Sequence, residues 1–151
     1  MRIKNSIPIL VADDDRDDCE MIKEALVESR LMNQVHFVHD GEALLNYLQS
    51  SHTKEKPMPG LILLDLNMPK KDGREALKEI KENPKLRHIP VVILTTSKAE
   101  EDIVRTYNLG VNSFITKPIA FDELVKIMTG LGNYWFEIVA LPENLNGDDE
   151  C

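Results

Sequence analysis

Four short stretches of this chain carry residue types that could do chemistry together: Asp13-Asp14-Asp15, Asp65 with Asn67, Thr95-Thr96-Ser97, and Lys117-Pro118. Carboxylates crowded into one place repel one another and need compensation. A hard divalent cation supplies it: Mg2+ takes a few carboxylate oxygens, keeps waters and accepts phosphate oxygens as further ligands. A carboxylate can also attack phosphorus and become an aspartyl phosphate. A lysine ammonium beside it neutralises charge on the transferring group, and a threonine hydroxyl can donate to a phosphoryl oxygen. Together the four stretches meet the needs of Mg2+-dependent phosphoryl transfer to Asp65. Singly, each has an ordinary alternative. An Asp pair after a strand caps a helix, an Asp before Met68-Pro69 forms a turn, Thr95 is a strand threonine, and Lys-Pro says little.

These residues act together only if the fold gathers them, and the pattern around them says how. Leu61-Ile62-Leu63-Leu64 is an apolar run of the kind buried on both faces of a parallel sheet. Met68-Pro69 ends it, because proline has no N–H for a ladder. Asp65 therefore stands where a buried strand meets solvent, the edge at which open α/β sheets collect ligands. The same alternation of strand and helix recurs five times. Strands are expected over Ile7 to Ala12, Val35 to Val38, Leu61 to Leu64, Pro90 to Thr95 and Ser113 to Thr116. Between them lie helices that start near Asp15, Asp40-Gly41 and Asp72-Gly73, a fourth carrying Ile103, Val104 and Tyr107 and capped at Gly110, and a fifth from Phe121 onward. Strand-helix repeats demand parallel pairing and right-handed crossovers. The expected fold is α/β: a doubly wound five-stranded parallel sheet of order 2-1-3-4-5, with helices on both faces. The acids, the threonine and the lysine then fall at the C-terminal ends of strands one, three, four and five.

Composition narrows the class. The 151 residues suffice for one domain with a real core. The net charge of −8 argues against nonspecific nucleic-acid binding. No apolar stretch approaches the roughly 20 residues of a membrane span, and Met1 to Ser6 lacks the apolar core of a secretion signal. Cys19 and Cys151 do not form a disulfide framework, so a cytoplasmic location is expected. Zinc is not expected: His36 and His39 are three apart on a strand and point to opposite faces, while His52 and His88 are isolated.

From about Pro8 to Met128 the chain resembles the receiver domain of two-component response regulators, with a flavodoxin-like fold. The resemblance implies a phosphoacceptor signalling protein that assists its own phosphorylation and dephosphorylation, rather than an enzyme in the usual sense. It implies that Asp65 is the phosphoacceptor. Asp14 and the backbone carbonyl of Asn67 join Asp65 in binding Mg2+, and Asp13 helps through water. Thr95 is the switch hydroxyl and Lys117 the lysine that pairs with the phosphoryl group. Phe114 takes the place of the switch aromatic, often tyrosine in the family, and has no hydroxyl to hydrogen-bond. Lys117-Pro118 resembles the family's cis peptide, and Asn67 and Ser97 are expected to tune the lifetime of the phosphoryl group. A sensor histidine kinase is the implied donor, and a face made by the fourth helix, fifth strand and fifth helix is the implied output.

Three rivals use similar parts. A phosphatase with an aspartyl-phosphate intermediate needs Asp-x-Asp-x-Thr/Val after the first strand; Asp13 and Asp15 fit, but Asp17 occupies the last place. A flavin carrier needs a phosphate cradle after that strand, where this chain has a loop of acids, Asp13-Asp14-Asp15-Arg16-Asp17-Asp18. A phosphate-independent receiver usually lacks a key residue, and none is missing here.

The C-terminal segment adds a subfamily reading. Leu124, Met128, Leu131, Trp135 and Ile138 or Val139 keep one helical stripe, which predicts a single long helix from about Asp122 to about Val139, ended by Pro142. Residues 1–131 read as the receiver domain, and 132–151 as a helical extension with an acidic tail. Tyr134, Trp135 and Phe136 either cover the domain's own core or form a partner surface, the second being favoured because Trp and Tyr anchor interfaces. The segment Tyr134 to Pro142 resembles the extension on small response regulators paired with phytochrome-type and related sensor kinases. That resemblance implies a stand-alone receiver, a homodimer through its C-terminal face, and a possible downstream phosphotransfer protein as partner.

Overall fold

A computed structural model describes residues 7–29, 33–50, 52–96, 98–117 and 119–131. Ten elements alternate in chain order: β1 (Ile9–Ala12), α1 (Arg16–Glu28), β2 (Val35–Val38), α2 (Gly41–Gln49), β3 (Leu61–Leu64), α3 (Gly73–Glu82), β4 (Val91–Thr95), α4 (Glu100–Asn108), β5 (Ser113–Thr116) and α5 (Phe121–Leu131). The strands form one parallel sheet of order β2-β1-β3-β4-β5, as the strand-helix alternation predicts.

Strand periodicity splits the core into two layers. Leu10, Ala12, Ile62, Leu64, Val91 and Ile93 face one side, against Leu44 and Leu48 of α2 and Ala76, Leu77 and Ile80 of α3. Ile9, Val11, Leu61, Leu63, Val92 and Leu94 face the other, against Ile22 and Leu26 of α1 and Leu124 and Met128 of α5. The central strands β1, β3 and β4 are apolar at nearly every position because both faces are covered.

Three helices start on aspartates that satisfy otherwise unpaired N–H groups. Asp15 accepts from Asp17 and Asp18, Asp40 from Ala43, and Asp72 from Arg74. α4 begins after Ala99, with no side-chain cap. It ends at Leu109, followed by Gly110 at φ 98°, the left-handed turn expected there. Two glycines are needed for close approach. A Cβ at Gly41 would collide with the carbonyl of Lys71, and one at Gly73 with the carbonyl of Asp65. Lys70 takes φ 66° between them, so the β3–α3 loop is pinned on both sides.

Several expectations need correction. Asp17 and Asp18 are in the first turn of α1, not in a loop, because Asp15 caps the helix before them. His39 lies beyond β2, so the alternation argument for the histidine pair does not apply to it. Val104 and Tyr107 are 53% and 48% exposed, and α4 instead buries Asp102 and Thr106. The expected helix beyond residue 131, its aromatic residues, Ser97 and Pro118 lie outside the described residues. Among the described residues no helix is long and apolar enough to cross a membrane.

Candidate functional site

Parallel register brings the chemical residues to one edge. Leu64 is level with Ala12 and with Ile93, and Thr95 with Thr116. Hydrogen bonds carry the ladder one residue further: Asp13 N–H donates to Val38 O (3.0 Å), Asp65 N–H to Ala12 O (2.9 Å), and Lys117 N–H to Thr95 O (2.7 Å). Asp13, Asp65, Thr95 and Lys117 thus sit on rigid backbone, one step from apolar strands. They are also buried, Asp65 at 4% and Asp13 at 2% exposure, so Asp65 does not stand open to solvent as expected but is screened from it.

The two oxygens of Asp65 have different partners. Oδ1 accepts from the Thr95 hydroxyl (2.7 Å) and from the Asn67 N–H (3.0 Å). Oδ2 accepts from Lys117 Nζ (3.2 Å). Lys117 also donates to Asp13 Oδ2 (2.8 Å) and Asp18 Oδ2 (2.5 Å). Asp13 Oδ1 accepts from the Asp15 N–H (2.9 Å), and the Asp13 carbonyl is 2.9 Å from His39 Nδ1. The Asn67 side-chain amide donates to the hydroxyls of Thr96 (3.1 Å) and Thr95 (3.4 Å).

Burial and charge act against each other here. Desolvation pushes the Asp13 carboxyl up to about 6, partly opposed by its hydrogen bonds from Lys117 and Asp15. Burial alone would lower the Lys117 ammonium, but hydrogen bonds to Asp13 and Asp18 outweigh it, so Lys117 is held firmly charged. Burial and nearby carboxylates push the Cys19 thiol up to about 11, which makes it a packing residue and not a nucleophile.

One ammonium therefore faces three carboxylates, a deficit that a divalent cation can fill. Asp13, Asp14 and Asp65 each offer a carboxylate oxygen, all within 4.8 Å of one another, with Asp14 on the exposed side. This all-oxygen, open donor set fits a hard cation that retains water. A cation held there would supply positive charge beside the Asp65 carboxylate.

The structure thus gathers Asp13, Asp14, Asp65, Asn67, Thr95 and Lys117. Phe114 is set apart, half-buried on β5 against the α2–α3 layer. Sequence reasoning missed Asp18 as a partner of Lys117; an extra acid one turn into the first helix was its only signal. It also missed Arg74 and Asp102, which pair across two helices. An arginine directly after Asp72-Gly73 carries no periodic signal, and an acid inside α4 reads as surface.

Comparison with known proteins agrees with the geometry. The family described as response regulator receiver domain matches residues 9–129. Response regulator Rcp1 of Synechocystis is 44% identical over 135 residues, which cover 89% of this chain and 92% of that protein. The crystal structure of the phosphorylated cyanobacterial phytochrome response regulator RcpA superposes with a TM-score of 0.81 at 43% identity, covering 91% of this chain and 99% of that one. The Mn2+-bound form of Rcp1 gives 0.79 at 43% identity, with 90% and 99% covered.

Proposed function

The chain belongs to the response regulator receiver family of two-component phosphorelays, and on that premise we propose that Asp65 is its phosphoacceptor. One observation carries the assignment: Asp65 is buried at the end of β3, with the Thr95 hydroxyl on one carboxylate oxygen and the Lys117 ammonium on the other. Asp65 attacks the phosphorus of a kinase phosphohistidine in line. The new oxygen–phosphorus bond forms as the phosphorus–nitrogen bond breaks, and its electron pair returns to the kinase imidazole. Lys117 then shifts from its three carboxylates toward the phosphoryl oxygens. Thr95 is already 2.7 Å from the acceptor oxygen, so its hydroxyl transfers to the phosphoryl group with a short movement. That movement vacates space beside β4, into which Phe114 can turn.

Mg2+ is the proposed cation, held by Asp14, Asp65 and the Asn67 carbonyl, with Asp13 acting through water. The pairing of hard oxygen donors with a water-retaining site supports it. Asn67 and Ser97 are proposed to tune phosphoryl lifetime, and the chain to assist its own dephosphorylation. The domain is proposed to span residues 1–131, with 132–151 as an extension used for homodimerisation. A phytochrome-type sensor histidine kinase is the proposed donor, supported by the similarity to RcpA, described as a phytochrome response regulator. A phosphotransfer protein is a possible onward partner, and the cytoplasm the proposed location. No role with nucleic acid or membrane is proposed, in keeping with the charge of −8.

The test is intact mass after incubation with Mg2+ and a small acyl-phosphate donor, with Asp65→Asn alongside. One added phosphoryl group is expected, lost without Mg2+ and lost in the variant. Equal labelling of Asp65→Asn would sink the assignment.

A further inference from the structure

α4 is fastened to the body in a way that its neighbours are not. Val104 and Tyr107 face outward, Ile103 is half-buried, and the buried positions are Asp102 and Thr106. The Thr106 hydroxyl is within reach of Asp102 O (2.8 Å) and Ile103 O (3.1 Å), both in the helix, and among the described residues it tethers nothing outside it. Asp102 reaches across: its two oxygens accept from Arg74 Nε (2.7 Å) and Nη2 (2.6 Å). Such a two-pronged guanidinium–carboxylate pair is among the stronger polar contacts a protein makes, and here it is largely screened from water.

The same guanidinium grips the β3–α3 loop. Arg74 Nη1 donates to the Leu66 carbonyl (3.3 Å) and to Asp72 Oδ2 (3.0 Å), and Nη2 donates to Asn67 Oδ1 (3.2 Å). Holding Asn67 by its oxygen aims its amide at the hydroxyls of Thr95 and Thr96. The Asn67 N–H holds Asp65 Oδ1. One arginine thus spans from the first turn of α4 to a residue that touches the acceptor carboxylate, the switch threonine and the loop after β4.

We propose that Arg74 is a positioning residue that couples the state of Asp65 to α4. In the resting protein its guanidinium holds Asn67 and Asp102 together. When a phosphoryl group on Asp65 draws the Thr95 hydroxyl and the Asn67 amide toward itself, Asn67 Oδ1 leaves Arg74. Arg74 then loses one of the contacts that fix its guanidinium in place, its hold on Asp102 loosens, and the first turn of α4 is freed to move. No bond forms or breaks covalently in this step; a set of hydrogen bonds is exchanged. The inference rests on Asp65 being the phosphoacceptor.

Hydrogen exchange of the full chain tests it, measured with and without beryllofluoride and Mg2+ as a stable phosphoryl mimic. In the wild type the mimic is expected to raise exchange of the α4 amides several-fold. In Arg74→Met, which keeps most of the apolar stem, α4 exchange is expected to rise by about tenfold without the mimic, and the mimic adds less than about twofold. Asp102→Asn should behave alike, and the double variant should match either single one, since all three remove the same contact. Amides of Leu44 and Leu45 in α2 serve as the control, unchanged throughout. A variant that merely loosened the fold would raise exchange there too and keep the full mimic response. Resting α4 protection equal to the wild type, or an intact mimic response in Arg74→Met, overturns the proposal. Should Arg74→Met fail to fold, Asp102→Asn and Arg74→Lys decide it by the same two readouts, lysine lacking the fork. Failure of the underlying reading is distinguishable, because it shows in the wild type as no phosphoryl uptake and no response to the mimic.

Discussion

α3 and α4 are helices of similar length whose first turns touch through Arg74 and Asp102, yet they are held by opposite means. α3 starts on the Asp72 cap and buries Ala76, Leu77 and Ile80 against the sheet. α4 lacks a side-chain cap, leaves Val104 and Tyr107 in solvent and buries an acid and a threonine. Apolar burial is nondirectional and summed over many atoms, so α3 has no single release point. A helix held by directional polar contacts can be freed by redirecting a few of them. The difference places an apolar-packed helix and one held by polar contacts side by side, joined through Arg74 and Asp102.

The contrast breaks most visibly through the core. Leu77→Ala should cost about 2–5 kcal/mol in urea unfolding, as for other fully buried leucines. A cost under about 1 kcal/mol would mean that α3 is no better seated than α4. Next in size is Gly73→Ala at the root of α3. Its new Cβ meets the Asp65 carbonyl, so about 1–3 kcal/mol should be lost and phosphoryl uptake should fall with it. Stability lost with uptake unchanged would show that the loop adjusts without moving Asp65.

A smaller effect concerns the polar edge that both helices share. Asp13 is raised from 3.8 to about 6. Between those values the folded chain holds a proton that the unfolded chain has released. Metal-free stability from this group should therefore fall as pH rises from about 4 to about 6 and level off above. The wild-type urea midpoint minus that of Asp13→Asn should fall across that range, since the variant lacks the titrating group, and divalent-cation affinity should strengthen over the same window as the proton stops competing. A difference flat with pH would contradict the burial of Asp13. Smallest of all, Val104→Ala on the exposed side of α4 should change stability by no more than about 0.5 kcal/mol, which would sharpen the contrast with Leu77.

Legibility followed how local each cause was. The runs at Leu61 to Leu64 and Val91 to Leu94 announce central strands because burial on both faces leaves no polar positions. Asp15, Asp40 and Asp72 announce helix starts because a cap acts on N–H groups two or three residues away. Asp13, Asp65, Thr95 and Lys117 could be placed at one edge once the strands were known, since parallel order fixes which ends meet. What failed was long-range. Val104 and Tyr107 are apolar yet stay exposed, because the two layers close over the sheet without them. Asp18 is expected in a loop, but it lies in α1 and meets Lys117 from 99 residues away.

From its residue pattern alone, then, the chain determines a parallel α/β alternation of strands and helices and the acidic character of one edge. Both follow from periodicity, capping and covalent order, which are properties of neighbours in sequence. Only tertiary structure decided that Asp65 is buried, that Lys117 is shared among three carboxylates, and that Arg74 joins α4 to the loop bearing Asn67. Those depend on side chains meeting far apart in sequence, 28 residues for Arg74 and Asp102 and 52 for Lys117 and Asp65. Such distances are set by packing, and no local pattern encodes them.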